Sequence, residues 1–183
     1  NVITAGLYGG SNVSAGGDVA ITATDNATIS ADVVAVSLSV AAGSGPGISA
    51  SFSVSSASNV IGTQTLAAID TSSLDAEGAI TITGASAAEI DVLGLSAAIS
   101  VGVGSVGIGL SITASVVDNS VAGSVGAYIN NVDGTGSVVE AGGPVVIDAS
   151  QAGQINADVV AAAISVSVGT VAASAAVAVA LAE

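Results

Sequence analysis

The chain has 183 residues and a formal charge of −14, with 14 Asp and Glu residues and no Lys, Arg, His, Cys, Met or Trp. Without cations it cannot neutralise nucleic-acid phosphates, grip anionic lipid through a basic patch, or form salt bridges between its own side chains. Without His or Cys it lacks the usual general base, nucleophile, soft metal ligand and disulfide, while a 51% hydrophobic content rich in Ala and Val argues against disorder.

In chain order, the double-Gly turn at 16–17 predicts a short strand over 19–23, followed by another around Ile29. A long alternating strand follows, with Val34, Val36, Leu38 and Val40 on one face. G-S-G-P-G at 43–47 reads as a turn, where the fixed φ of Pro46 is tolerated. A second long strand carries Ile48, Ala50, Phe52 and Val54 on one face, and a last strand centres on Ile69. β-branched residues and period-two alternation support strands throughout, and no long stretch carries a helical period.

This order recurs. A-I-S-V at 98–101 returns at 163–166, offset 65, and appears as S-L-S-V at 37–40, offset 61. G-D-V-A-I-T at 17–22 matches G-A-I-T-I-T at 78–83 and G-P-V-V-I-D at 143–148, while Ile29, Ile90 and Ile155 hold one place. The repeats run about 13–74, 75–138 and 139–183, the last incomplete, within one repetitive domain over 1–183. N-V-D-G-T-G-S at 131–137 reads as a polar turn that absorbs the longer second repeat, and Asp118-Asn119 as another turn.

The G-x-G-x-x-G at Gly102, Gly104 and Gly107 is followed by more alternation, not by a helix and an acidic ribose ligand, so it reads as strand–turn–strand. Residues 159–182 are uncharged and long enough to cross a bilayer as a helix, but they alternate like strands and carry no interfacial Trp, Tyr or Lys; no membrane span is expected. One strand face is large and aliphatic, and stacking of successive units is expected to bury it. The other is Gly, Ala, Ser and Thr, expected either to meet solvent or to pack closely on another sheet. The fold expected is all-β, a repetitive β-solenoid resembling a parallel β-helix, with an antiparallel hairpin sandwich as the alternative.

Most of the acids fall at strand ends or turns, where they solvate the chain and guard sheet edges. A sharper reading is Ca²⁺, which takes several carboxylate and carbonyl oxygens. The candidate ligands are Asp70, Asp75 and Glu77, with Asp133 and Glu140 as their counterparts in the next repeat. Carboxylate pairs could also hydrolyse a glycoside, but Tyr8, Tyr128 and Phe52 are scattered in sequence and offer no aromatic platform; no enzyme activity is expected.

The units G-G-D-V-A-I-T-A (16–23) and A-G-G-P-V-V-I-D-A (141–149), the alternating block at 100–112 and A-Y-I-N at 127–130 resemble those of large repetitive bacterial surface proteins. These are filamentous adhesins of the haemagglutinin or autotransporter-passenger type and giant β-strand-repeat proteins. The resemblance covers essentially the whole chain; the absence of Lys and Arg departs from it. It implies a secreted or surface-bound solenoid with structural or adhesive work and no catalytic residues to transfer. The expectation is therefore a structural protein of an extracellular filament or sheath, whose partner is itself. The alternative is an adhesin passenger that binds a surface glycan or protein.

Overall fold

The structure, a computed structural model, describes residues 1–130 and 137–183. Among them there is no helix. The first coil holds β1 (Val2–Leu7), β2 (Asn12–Ala15), β3 (Val19–Asp25) and β4 (Thr28–Ala42). Next come β5 (Gly47–Asp70), β6 (Ser73–Ala76), β7 (Ile80–Val103) and β8 (Val106–Asn130), then β9 (Val138–Ala141), β10 (Val145–Val168) and β11 (Val171–Ala182).

The strands join three sheets, ordered β1-β5-β8-β11, β2-β6-β9 and β10-β7-β3 with β4 also on β7. The β1–β5, β2–β6, β3–β7, β6–β9 and β8–β11 ladders are parallel. Val19 sits beside Ile80, 61 residues on, and Val106 beside Val171, 65 residues on. The sequence offsets are therefore the stacking register. The strands flanking the Gly104-Ser105 turn, β7 and β8, belong to different sheets, so the fold is the β-solenoid and not the hairpin sandwich. The separate short strands expected around Ile29 and Ile69 are parts of the unbroken β4 and β5, because ladder bonds from the neighbouring coil continue past the breaks in pattern. Residues 159–182 close β10 and form β11, and no helix is long and apolar enough to cross a membrane. The polar turn expected at 131–137 lies, but for Ser137, outside the described residues.

The contacts divide into two compact units: residues 1–28, 60–89 and 120–154 form the first, and 29–59, 90–119 and 155–183 the second. In the first unit the three sheets enclose a conventional core. Ile21, Ala67, Ile69, Leu74, Ile80 and Ile82 are buried together, with Ile3, Leu7, Val19 and Ile129 against them. Each such aliphatic contributes roughly 1.5–3 kcal/mol when fully buried.

The second unit reverses this pattern. Ile90, Val92 and Val117 are still buried, but between them the inward positions on β7 are Gly94, Ser96, Ala98, Ser100 and Gly102, and on β8 Gly107, Gly109, Ser111, Thr113 and Ser115, all buried. Val34, Val36, Leu38 and Val40 point outward at 58–68% exposure, and Phe52 and Val54 point outward on β5 at 59% and 69%. The expected burial of the aliphatic face thus fails here, and the small-residue face is the one that packs closely inside. The interior is held by hydroxyls. Ser111 donates to the Ile164 carbonyl (2.6 Å) and pairs with Ser100 Oγ (3.0 Å), Ser53 donates to the Ala35 carbonyl (2.8 Å), and Ser55 pairs with Ser115 (2.7 Å). Each such bond contributes about 1 kcal/mol net, whereas an orphaned hydroxyl costs about 1–3 kcal/mol. The hydroxyls of Ser49, Ser96 and Thr113 are orphans of this kind.

Glycine lets the sheets close. A Cβ on Gly102 would overlap the Ile108 carbonyl oxygen, and one on Gly107 would lie 2.7 Å from that of Val168. The nucleotide-loop pattern is therefore accounted for by backbone packing. Asp118-Asn119 is likewise no turn. Both residues lie within β8, and Asn59 Nδ2 donates to the inward Asn119 Oδ1 at 2.9 Å, forming an amide ladder between coils.

Candidate functional sites

Among the described residues, the acidic candidates are not gathered into one cage. Asp75 on β6 and Glu140 on β9 are register partners, side by side and exposed on the outer face of their sheet, with Ser14 on the other flank of Asp75. They bring two carboxylates to one row, fewer than the 6–8 oxygens Ca²⁺ takes. Asp70 ends β5, at the opposite end of the short strand from Glu77, and its Oδ1 accepts from Thr71 Oγ1 at 3.0 Å. Glu77 is exposed beyond β6, its backbone N–H bonded to the Ala15 carbonyl. Asp133 lies outside the described residues. No group of three potential metal ligands occurs among the described residues.

A second acidic surface lies in the second unit, where Ser30, Asp32, Asp91, Leu93, Asn156 and Asp158 line a depression of about 170 Å³. Asn156 Nδ2 donates to Asp91 Oδ1 at 2.8 Å across adjacent coils. Asp32 and Asp158 hold the same place in the repeats S-A-D-V-V and N-A-D-V-V, with Leu93 between them in the second coil, and Asp91 comes from the adjacent column of Ser30 and Asn156.

The site that the sequence did not suggest is aromatic. Tyr8 and Tyr128 are 120 positions apart (128 − 8), yet stacking brings them together in the first unit. Gly6 pairs with Ala68, and the Thr71 N–H bonds to the Asn130 carbonyl. These registers set Tyr8 beside Asp70 and Tyr128 beside Ala68. The Tyr8 ring lies over Gly6, where an added Cβ would meet its Cε2 at 2.8 Å, and Gly126 leaves room for Leu66 beside the Tyr128 ring. Ala68 faces outward yet is wholly buried beneath this cover. Tyr8 keeps 41% of its surface exposed. Partial burial, then the neighbouring Tyr128 and the Asp70 carboxylate, push the Tyr8 phenol above its ordinary pKa of 10.0. An aromatic face beside a carboxylate and the Asn130 amide suits a ligand with both C–H faces and hydroxyls. The signal in the sequence was the shared offset of the repeats, which converts distant tyrosines into near neighbours.

No family model matches the chain, and neither the curated proteins nor the solved structures provide a match.

Proposed function

We propose that this chain is a structural element of an extracellular filament or sheath, lengthened by adding β-coils to the open edges of its sheets. One observation carries the reading: successive coils pair in parallel at near-constant offsets, and the outermost strands keep one side free. In β3 and β4 the odd-numbered residues bond to β7, as the Val19 and Gly43 N–H groups do. The even-numbered residues from Ala20 to Ala42 therefore present unpaired N–H and C=O groups to an incoming strand. At the other end, β9, β10 and β11 each have one neighbour among the described residues. Head-to-tail addition of unlike surfaces does not close on itself and gives filaments. A chain without Lys or Arg also resists trypsin-type cleavage, which suits an exposed setting.

The test uses Thr22→Pro together with Ser30→Pro. Both residues have outward N–H groups, so proline removes no ladder bond within the stack and blocks only strand addition. Electron microscopy should show long filaments of uniform width for the unmodified chain and short particles for the double variant. Isolated rods from both would refute the reading.

The Tyr8–Tyr128–Asp70 surface supports a second reading, an adhesin segment that binds a glycan. Screening against immobilised glycans should then give binding that Tyr8→Ala and Tyr128→Ala abolish while the filaments persist. Binding that survives both substitutions would remove this reading.

A further inference from the structure

We infer that the outer face of β4, β7 and β10 in the second unit is a lateral interface that receives the same face of a second copy of this chain. This inference goes beyond lengthening by strand addition, because it concerns the side of the stack and not its ends.

The face is built in columns. The 61-residue register holds at both ends of the β4–β7 pairing, through Glu89 N–H to the Ala27 carbonyl and Gly43 N–H to the Val103 carbonyl. The 65-residue register holds at both ends of β7–β10, through Ile80 N–H to the Pro144 carbonyl and Gly104 N–H to the Val168 carbonyl. Leu38, Ile99 and Ile164 therefore form one ridge and Val40, Val101 and Val166 the next. Between the first ridge and the column of Val34, Leu95 and Val160 runs Val36, Ala97 and Ala162, a trough in the second and third coils. Exposure of the large residues in the first coil reaches 68%, and no Asp or Glu occurs in 33–57, 92–117 or 159–182.

The occupant follows from shape, area and chemistry. A two-fold axis parallel to the stack, between ridge and trough, lays the ridge Ile99–Ile164 of each copy into the trough Ala97–Ala162 of the other, coil on coil. The face spans about 30 Å along the strands and about 14 Å across three of them, so two copies bury roughly 850 Å² in all. A stable specific interface needs about 1,000 Å² or more. Three coils thus fall just short of a permanent dimer, and each further coil adds roughly 280 Å² at the same spacing. Lateral pairing is weak for one chain and strengthens as the stack lengthens. Hydrocarbon is the poorer occupant. The open edge of β4 would carry its unpaired backbone groups into a medium that cannot satisfy them, and the face has no aromatic or basic interfacial belt.

The experiment is sedimentation of the chain carrying Thr22→Pro and Ser30→Pro, which blocks lengthening and isolates the lateral step; circular dichroism checks that each variant keeps its strands. The parent should show a concentration-dependent dimer. Ile99→Glu with Ile164→Glu should weaken it at least tenfold. Ala97→Leu with Ala162→Leu should weaken it too, because it fills the trough while adding apolar area. A stronger dimer with the filled trough would overturn the inference, as would capture by zwitterionic phosphatidylcholine vesicles in place of dimerisation. If the parent alone forms long filaments, the strand-addition reading fails independently of this result.

Discussion

The inverted second unit makes Gly94→Ala an informative substitution. Gly94 is an inward residue on extended backbone, and in such a position adding a methyl group ordinarily stabilises by about 0.4–1 kcal/mol through the unfolded chain. Here the added Cβ would lie 2.8 Å from both Ser115 Oγ and Val117 Cγ2, with Val159 Cγ1 at 3.7 Å behind them. Overpacking of this kind costs about 1–3 kcal/mol, so the expected net effect is destabilisation by about 0.5–2 kcal/mol. Leu38→Ala is the counterpart. Inside a core it would cost about 2–5 kcal/mol. At 68% exposure Leu38 retains about a third of a buried aliphatic's contribution, or about 0.5–1 kcal/mol. Guanidinium denaturation followed by far-ultraviolet circular dichroism measures both, with an unchanged slope confirming that stability alone has moved. A stabilised Gly94→Ala together with a Leu38→Ala loss above about 2 kcal/mol would mean that the aliphatic face is the buried one.

Thr71 adopts φ 49°, a left-handed conformation costly for a β-branched residue, so Thr71→Gly should raise stability by about 1 kcal/mol in the same assay. Asp75 and Glu140 place like charges directly opposite each other; Glu140→Gln should raise the unfolding midpoint at low salt, and the gain should shrink at 1 M salt. Tyr128→Phe leaves Tyr8 as the single tyrosine, and its phenolate absorbance should appear above pH 10.0, moving downward when Asp70→Asn is added. Because the folded-state pKa is raised, Tyr8 contributes stability below pH 10.0 that is lost as pH climbs through the folded value; Tyr8→Phe should flatten that alkaline loss. Asn119→Ala removes the acceptor of the half-buried Asn59 amide and should cost about 1 kcal/mol by denaturant unfolding.

Much of the fold was legible because a repeat offset in sequence becomes a register in space. The recurrence of A-I-S-V 65 residues apart predicted that Ser100 and Ser165 are neighbours, and they pair at 3.1 Å. Period two identified the strands but is silent on which face is enclosed. The first unit follows the usual preference, with Ile80 and Ile82 inside. β7 then runs without interruption to Val103, so the parity set by Ile80 carries Ser96, Ser100 and Gly102 inward and sends Leu95, Ile99 and Val101 out. Continuity of one strand overrides the local preference for burying large residues. The four-residue strands β2, β6 and β9 were too short to show periodicity; their hydrogen bonds come from neighbouring coils. The acid pair Asp75–Glu140 was legible as a repeat counterpart. The tyrosine pair was missed because Tyr8 and Tyr128 occupy different positions in their repeats and meet only diagonally across Ala68 and Asp70.

The enclosure of small side chains is most directly tested by thiol reactivity, since the native chain contains no cysteine to interfere. Ser111 is wholly buried, whereas its chain neighbour Ile112 is 37% exposed. In the folded state a water-soluble thiol reagent should label Ile112→Cys promptly and reach Ser111→Cys only when denaturant opens the chain. Prompt labelling at 111 with protection at 112 would contradict the account.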